Sequence, residues 1–148
     1  MYQTTSLGYN YETAISSAVV DEEENTIYFS LYNSLQAVNT LFKCNLDGGF
    51  SSTLVQNNIS PLFVINNSVY LTGTESLIQR DKNTLTQIKE LDGVFINRYH
   101  KYKNFIFKTL GLNKEITVLD ENLQEVAEIH IANNFHFINI DPLDRLHF

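Results

Sequence analysis

The chain repeats a short β-unit. Asn25-Thr26-Ile27-Tyr28-Phe29-Ser30 is rich in β-branched and aromatic residues, and a polar stretch follows it. Then come Leu41-Phe42-Lys43-Cys44-Asn45-Leu46, the turn Asp47-Gly48-Gly49, and Ser52-Thr53-Leu54-Val55. Residues of the first kind favour extended backbone, and Asp and Gly tolerate the left-handed conformations of tight hairpins. The unit reads as strand, loop, strand, turn, strand. Weaker copies recur along the chain at intervals of roughly 35 to 45 residues, a period typical of architectures that stack one small sheet on the next.

This repeat predicts an all-β fold, a small β-propeller of about four blades, each of four antiparallel strands lettered a to d from the axis outward. The whole chain, 1–148, reads as a single domain. In the blade spanning 14–55 the strands fall at 14–20, 26–31, 39–46 and 52–55. In the blade spanning 61–91 they fall at 62–65, 69–72, 76–80 and 86–91. In the blade spanning 93–131 they fall at 94–98, 104–109, 115–119 and 124–131. The c–d connections Asp47-Gly48-Gly49, Asp81-Lys82-Asn83 and Asp120-Glu121-Asn122 occupy the same place in each blade. The strongest helical rival is 119–131, with Leu123, Val126, Ala127, Ile129 and Ile131, but no window beyond about ten residues keeps a helical apolar stripe.

The termini complement one another. Residues 135–140 and 145–148, split by Asp141-Pro142, read as strands a and b. Residues 1–5 and 9–13, joined by Ser6-Leu7-Gly8, read as strands c and d. Pairing 135–148 with 1–13 makes a fourth blade and closes the ring, which removes exposed sheet edges. Two further arrangements satisfy the pattern: a slice of a larger propeller, or two copies pairing their half-rings. A different all-β arrangement is the last alternative.

Composition narrows the partners. With 43% apolar and 18% charged residues among 148, and 2 prolines, the chain is long and apolar enough to bury a core. A net charge of -7 repels phosphate backbones, so nucleic acid and anionic membranes are not expected as partners. No stretch approaches the ~18 apolar residues of a membrane span. The lone Cys44 excludes an internal disulfide and fits a reducing compartment. Residues 1–5 lack a basic region followed by an apolar run, so a cytoplasmic location, or the interior of a host cell for a viral chain, is expected. Asn58-Ile59-Ser60 and Asn66-Asn67-Ser68 match the glycan-acceptor pattern but read as coincidence in so asparagine-rich a chain.

The first unit resembles the YWTD-type blades of lipoprotein-receptor propellers and related bacterial blades. Ile27-Tyr28-Phe29-Ser30 stands where that family has I-Y-W-T-D. Phe42-Lys43-Cys44-Asn45-Leu46-Asp47-Gly48 matches its apolar-x-R-x-N-L-D-G turn, and Leu54-Val55 its closing strand. Leu31 replaces the family's aspartate, and the chain has no Trp. The resemblance implies a propeller blade and no particular ligand.

No residue pattern points to catalysis. There is no G-x-S-x-G elbow, no phosphate-binding glycine loop and no Cys–His signature. Asp21-Glu22-Glu23-Glu24 lacks the Asp-x-Asp-x-Asp-Gly spacing of a calcium loop and reads as a solvated turn. His100, His130, His136 and His147 form no H-x-H or H-x-x-x-H pair. No catalytic residue, cofactor or metal is therefore expected, and the chain is read as a non-enzyme.

The propeller layout sorts the loops into two ends. One end is rich in amides and hydroxyls, and its Tyr32, Asn33, Gln36, Asn57, Asn58, Asn113, Asn133 and Asn134, together with Phe50 beside the first c–d turn, give the candidate interaction surface. Tyr and Phe next to turns add contact area at small entropy cost. The other end carries a secondary candidate, the basic loop Arg98, Tyr99, His100, Lys101 and Lys103, suited to an acidic protein partner. The expected function is a protein–protein interaction module presenting one loop end, as a monomer or self-pairing homodimer. A carbohydrate-binding or viral tail and adsorption module is the alternative, since Asn and Gln hydrogen-bond sugar hydroxyls. A propeller portion of a longer multidomain protein is the third reading.

Overall fold

The computed structural model describes residues 13–33, 38–47, 50–56, 59–93, 97–110, 114–131, 139–141 and 145–147. Every regular element among them is a strand. The chain divides into two compact units, Met1–Glu90 and Leu91–Phe148.

The first unit holds two four-stranded sheets. The first comprises β1 (Thr13–Asp21), β2 (Thr26–Asn33), β3 (Val38–Asn45) and β4 (Phe50–Gln56), paired in that order. The second comprises β5 (Ser60–Ile65), β6 (Ser68–Thr72), β7 (Ser76–Asp81) and β8 (Gln87–Asp92), again in chain order. β8 runs two residues past the boundary of the unit. Short connections between neighbours make antiparallel hairpins the natural pairing. The registers agree: Tyr28 faces Val19 on one side and Lys43 on the other.

The two sheets meet face to face. Val19, Tyr28 and Leu41 of the first pack into one apolar cluster with Val64, Val69, Leu71 and Ile78 of the second, joined by Ile59 and Leu85 from its connections. Strict alternation puts Ala18, Val20, Ile27, Phe29, Phe42 and Cys44 on the opposite face of the first sheet. There Phe29 and Phe42 stack with ring centroids 5.1 Å apart.

The second unit holds β9 (Asn97–Tyr102), β10 (Phe105–Leu110), β11 (Glu115–Leu119) and β12 (Glu125–His130) in one sheet, ordered β12-β11-β10-β9. A short pair, β13 (Asn139–Ile140) and β14 (Leu146–His147), follows. Phe107, Ile116 and Val118 form its core, with Tyr102, Ile129 and Ile131 packed against them.

The strands of 14–131 thus stand close to where the repeat puts them, and the helical rival over 119–131 is replaced by β12. One correction concerns the basic segment. Arg98, Tyr99, His100 and Lys101 are not a loop but most of β9, and only Lys103 lies in the turn. Pairing with β10 outweighs their charge: Tyr102 faces Phe105, His100 faces Phe107 and Arg98 faces Thr109, a full ladder along the strand. Long basic side chains fit an edge strand because their stems cover apolar surface while the charge stays in water. The N-terminal hairpin expected at 1–13 lies outside the described residues except for Thr13, which begins β1.

Aspartate side chains organise the hairpins. Asp81 Oδ1 accepts from the backbone N–H groups of Asn83 and Thr84 at 2.9 and 2.8 Å, and from the Thr84 hydroxyl. Those bonds hold the Asp81 carboxyl below the usual carboxylate range. Asp120 Oδ1 accepts from Asn122 and Gln124 in the same way, and Asp141 Oδ1 from Arg145. Both of the first two turns place a leucine in the left-handed region, Leu85 at φ 59° and Leu123 at φ 56°. That conformation costs about 1–2 kcal/mol in a residue with a Cβ. Both leucines are buried, and burying a leucine contributes about 1.5–3 kcal/mol. Burial therefore wins, and glycine is not needed.

That balance is testable. Leu85→Gly removes the backbone penalty but empties a leucine-sized space in the cluster, so urea denaturation is expected to show a net loss of about 1–3 kcal/mol. A gain in stability would mean that the turn, not the burial, governs this position.

A polar cluster and the candidate interaction surfaces

The most organised polar site lies where the β1–β2 hairpin of the first sheet meets the β7–β8 turn of the second. Lys82 Nζ stands 3.1 Å from Asp21 Oδ2 and 3.0 Å from Glu24 Oε1. Lys82 is only 3% exposed and Asp21 5%. The Tyr28 hydroxyl donates to the Lys82 carbonyl at 2.8 Å, and the Lys82 N–H donates to the Asn67 carbonyl at 3.0 Å. Lys43 Nζ, 5.9 Å from the centre of the Tyr28 ring, donates to Asn83 Oδ1 at 3.2 Å. Two more links join the sheets at other points: the Ser17 hydroxyl to the Pro61 carbonyl, and Asn39 Nδ2 to the Ile59 carbonyl.

The electrostatics follow from this packing. Burial pushes the Lys82 ammonium down, but the hydrogen bonds it donates to Glu24 and Asp21 and the charge of those carboxylates outweigh it, so its pKa is raised above the usual lysine value. Burial, reinforced by Asp21, Glu24 and Asp81, drives the Tyr28 phenol well above its ordinary range. Tyr28 therefore keeps its proton and remains a donor. The Asp21–Glu24 stretch, read from sequence as a solvated turn, is corrected in part: Glu22, Glu23 and Glu24 are exposed, but Asp21 is buried, and Asp21 and Glu24 both pair with a lysine 61 and 58 positions away. Opposite charges so far apart in sequence carry no local signal. The only hint was that Lys82 interrupts an otherwise neutral or acidic turn series.

The candidate surface residues separate. Tyr32 and Asn33 close β2 rather than lying in a loop, with Tyr32 facing Asn39 and 38% exposed. Phe50 opens β4 opposite Cys44 rather than sitting in a turn. In both places the strand simply runs further than the turn chemistry suggested, because partners on β3 complete its hydrogen bonds. Gln36, Asn57, Asn58, Asn113, Asn133 and Asn134 lie outside the described residues.

On β9, alternation splits the basic segment between two faces: Arg98 and His100 share one with Tyr102, while Tyr99 and Lys101 share the other. It is thus not one basic patch. His100 is half-buried, and its Nε2 has no hydrogen-bond partner among the described residues. Burial, with Arg98 nearby, pushes its pKa below the usual histidine value. Lys103 instead reaches over the Tyr102 ring, 4.8 Å from its centre.

Among the described residues no three His, Cys, Asp or Glu side chains gather to hold a metal ion. His130 lies 3.6 Å from both Glu115 and Glu128 on an exposed strand. The Cys44 thiol is half-buried, and burial raises its pKa, which favours the neutral thiol over a reactive thiolate. Among the described residues no helix is long and apolar enough to cross a membrane.

No protein-family model matches the chain, and no curated protein matches it. Solved structures do. Hsv2 of Kluyveromyces marxianus matches with a TM-score of 0.53 at 10% identity, over 78% of this chain and 37% of that one. Hsv2 of Kluyveromyces lactis matches with a TM-score of 0.54 at 11% identity, over 82% and 38%. A protein of unknown function from Bacteroides caccae matches with a TM-score of 0.50 at 9% identity, over 93% and 53%. The chain therefore spans about two fifths of the length of the Hsv2 chains. Hsv2 is a β-propeller, so the all-β, propeller-like fold is shown. The likeness contains nothing specific to YWTD-type blades.

The His100 environment predicts a pH effect. Because its folded pKa is depressed, the unfolded chain takes up the proton first as pH falls through the ordinary histidine range near ~6.5. Stability is thus present above that range and lost below it. His100→Phe is expected to flatten the fall of the urea midpoint between pH 7 and pH 5. An unchanged slope would show that His100 does not contribute.

Proposed function

We propose that this chain is a non-enzymatic interaction module: a propeller-like series of four-stranded sheets that presents one loop end to a protein partner. The observation that carries the reading is where the polar chemistry is spent. Asp81, Asp120 and Asp141 brace turns, and Asp21 and Glu24 are both paired with Lys82 in the first unit. His100 favours its neutral form. Groups held in this way support a rigid scaffold rather than a reacting centre. Propeller-like neighbours are consistent with a scaffold, although fold by itself does not assign a task.

The proposed architecture is a closed ring in which residues 135–148 and 1–13 build a fourth blade. The face that the first sheet turns away from the second supports it. Ala18, Val20, Ile27, Phe29 and Cys44 form an apolar surface there, with Val20 45% exposed, and a further sheet would cover it. A second reading is favoured by length: a chain spanning 37% to 53% of its structural neighbours also suits a portion of a larger propeller. The acidic charge and single thiol keep the proposed setting a cell interior, away from nucleic acid and anionic membranes.

Light scattering after size exclusion is expected to return the monomer mass, and twice that mass would replace ring closure by paired half-rings. For function, a partner isolated with the chain as bait and then purified is expected to bind Tyr32→Ala about tenfold more weakly, the loss typical of an aromatic anchor. Turnover by the purified chain, or saturable binding on a glycan array without a protein partner, would overturn the proposal.

A further inference from the structure

We infer that Asp21, Glu24 and Lys82 act as a pairing address, selecting the second sheet as the neighbour of the first and rejecting the third. The starting point is a problem that every repeat fold faces. Sheets built on one pattern have similar apolar faces, so burial alone does not specify which packs on which, and misassembly is the characteristic failure. Here the likeness extends to the turns. Asp81-Lys82-Asn83 and Asp120-Glu121-Asn122 share the bracing aspartate, the asparagine N–H bonded back to it, and a buried left-handed leucine. They differ at the central residue, which is Lys82 in one and Glu121 in the other.

The receiving site reads that difference. Asp21 and Glu24 both direct an oxygen at Lys82 Nζ. A turn carrying Glu121 in that place would bring a third carboxylate against two others, of which Asp21 is buried and Glu24 exposed. The receiving pair is also specific to the first sheet: the corresponding hairpin of the second has Asn66-Asn67, and that of the third has Lys103-Asn104.

Stability is a poor reason for such a group. Withdrawing an ammonium and a carboxylate from water costs several kcal/mol per ion, and apolar residues of similar volume often do as well or better. Rejection of the wrong partner is what a buried pair supplies and a methionine does not.

Two full-length variants test this. Glu121→Lys leaves the Asp21–Lys82 contact in place but gives the third sheet the same address. It is expected to yield two populations, seen as doubled amide resonances or as mixed oligomers on size exclusion. The double variant Asp21→Leu/Lys82→Met, which replaces both buried charges together and leaves the exposed Glu24 to water, is expected to keep or raise the urea midpoint while likewise losing the single population. If Glu121→Lys remains one monodisperse species with one set of resonances, the address is overturned. If the double variant lowers the midpoint while keeping one population, the cluster is merely a stabilising pin and the inference also fails. If the double variant does not fold, Glu121→Lys alone decides.

Discussion

The first unit depends on one contact above the rest: the turn of the second sheet seated against the end of the first. Tyr28 is the pivot. Its ring belongs to the apolar cluster between the sheets, while its hydroxyl donates to the backbone of Lys82. A buried phenol needs such a partner, because an unmatched hydroxyl in an apolar setting costs about 1–3 kcal/mol. The same backbone segment places the Lys82 ammonium between two carboxylates. Apolar packing and polar pairing therefore demand the same docking position, and a shift that improved one would break the other.

The turns apply a similar economy on a smaller scale. An aspartate at the end of a strand binds the N–H groups that the turn leaves without partners, and does so at Asp81, Asp120 and Asp141. Leucines adopt a left-handed backbone because the gain from burial exceeds the strain. Asn25 and Asn66 take the same conformation in their hairpins at little cost. The repeat is thus kept as a set of hydrogen-bonding roles more faithfully than as a residue pattern, which is why Asp-Lys-Asn and Asp-Glu-Asn serve equivalent turns.

Much of the fold was legible in the residues. Runs such as Ile27-Tyr28-Phe29 and Leu62-Phe63-Val64-Ile65, bounded by Asn and Asp, locate β2 and β5 because strand periodicity and turn preference are local properties. Arg98 to Lys103 has loop-like composition, and β9 owes its strand character to the ladder with β10. Tyr32, Asn33 and Phe50 likewise stand beside turn-forming residues, yet pairing with β3 makes them part of β2 and β4. The candidate surface was less legible than the fold: its residues were grouped by loop, and the structure separates those it describes between different strands.

The order of residues by itself determined that the chain forms short antiparallel strands, where most of them lie, and which aspartates sit at their turns. These depend on interactions among neighbours a few positions apart. Only the tertiary structure decided that Lys82 meets Asp21 and Glu24, that His100 is driven towards its neutral form by burial, and which face of the first sheet meets the second. Such outcomes depend on how far water is excluded and on which distant groups converge, and neither quantity exists until the sheets have packed.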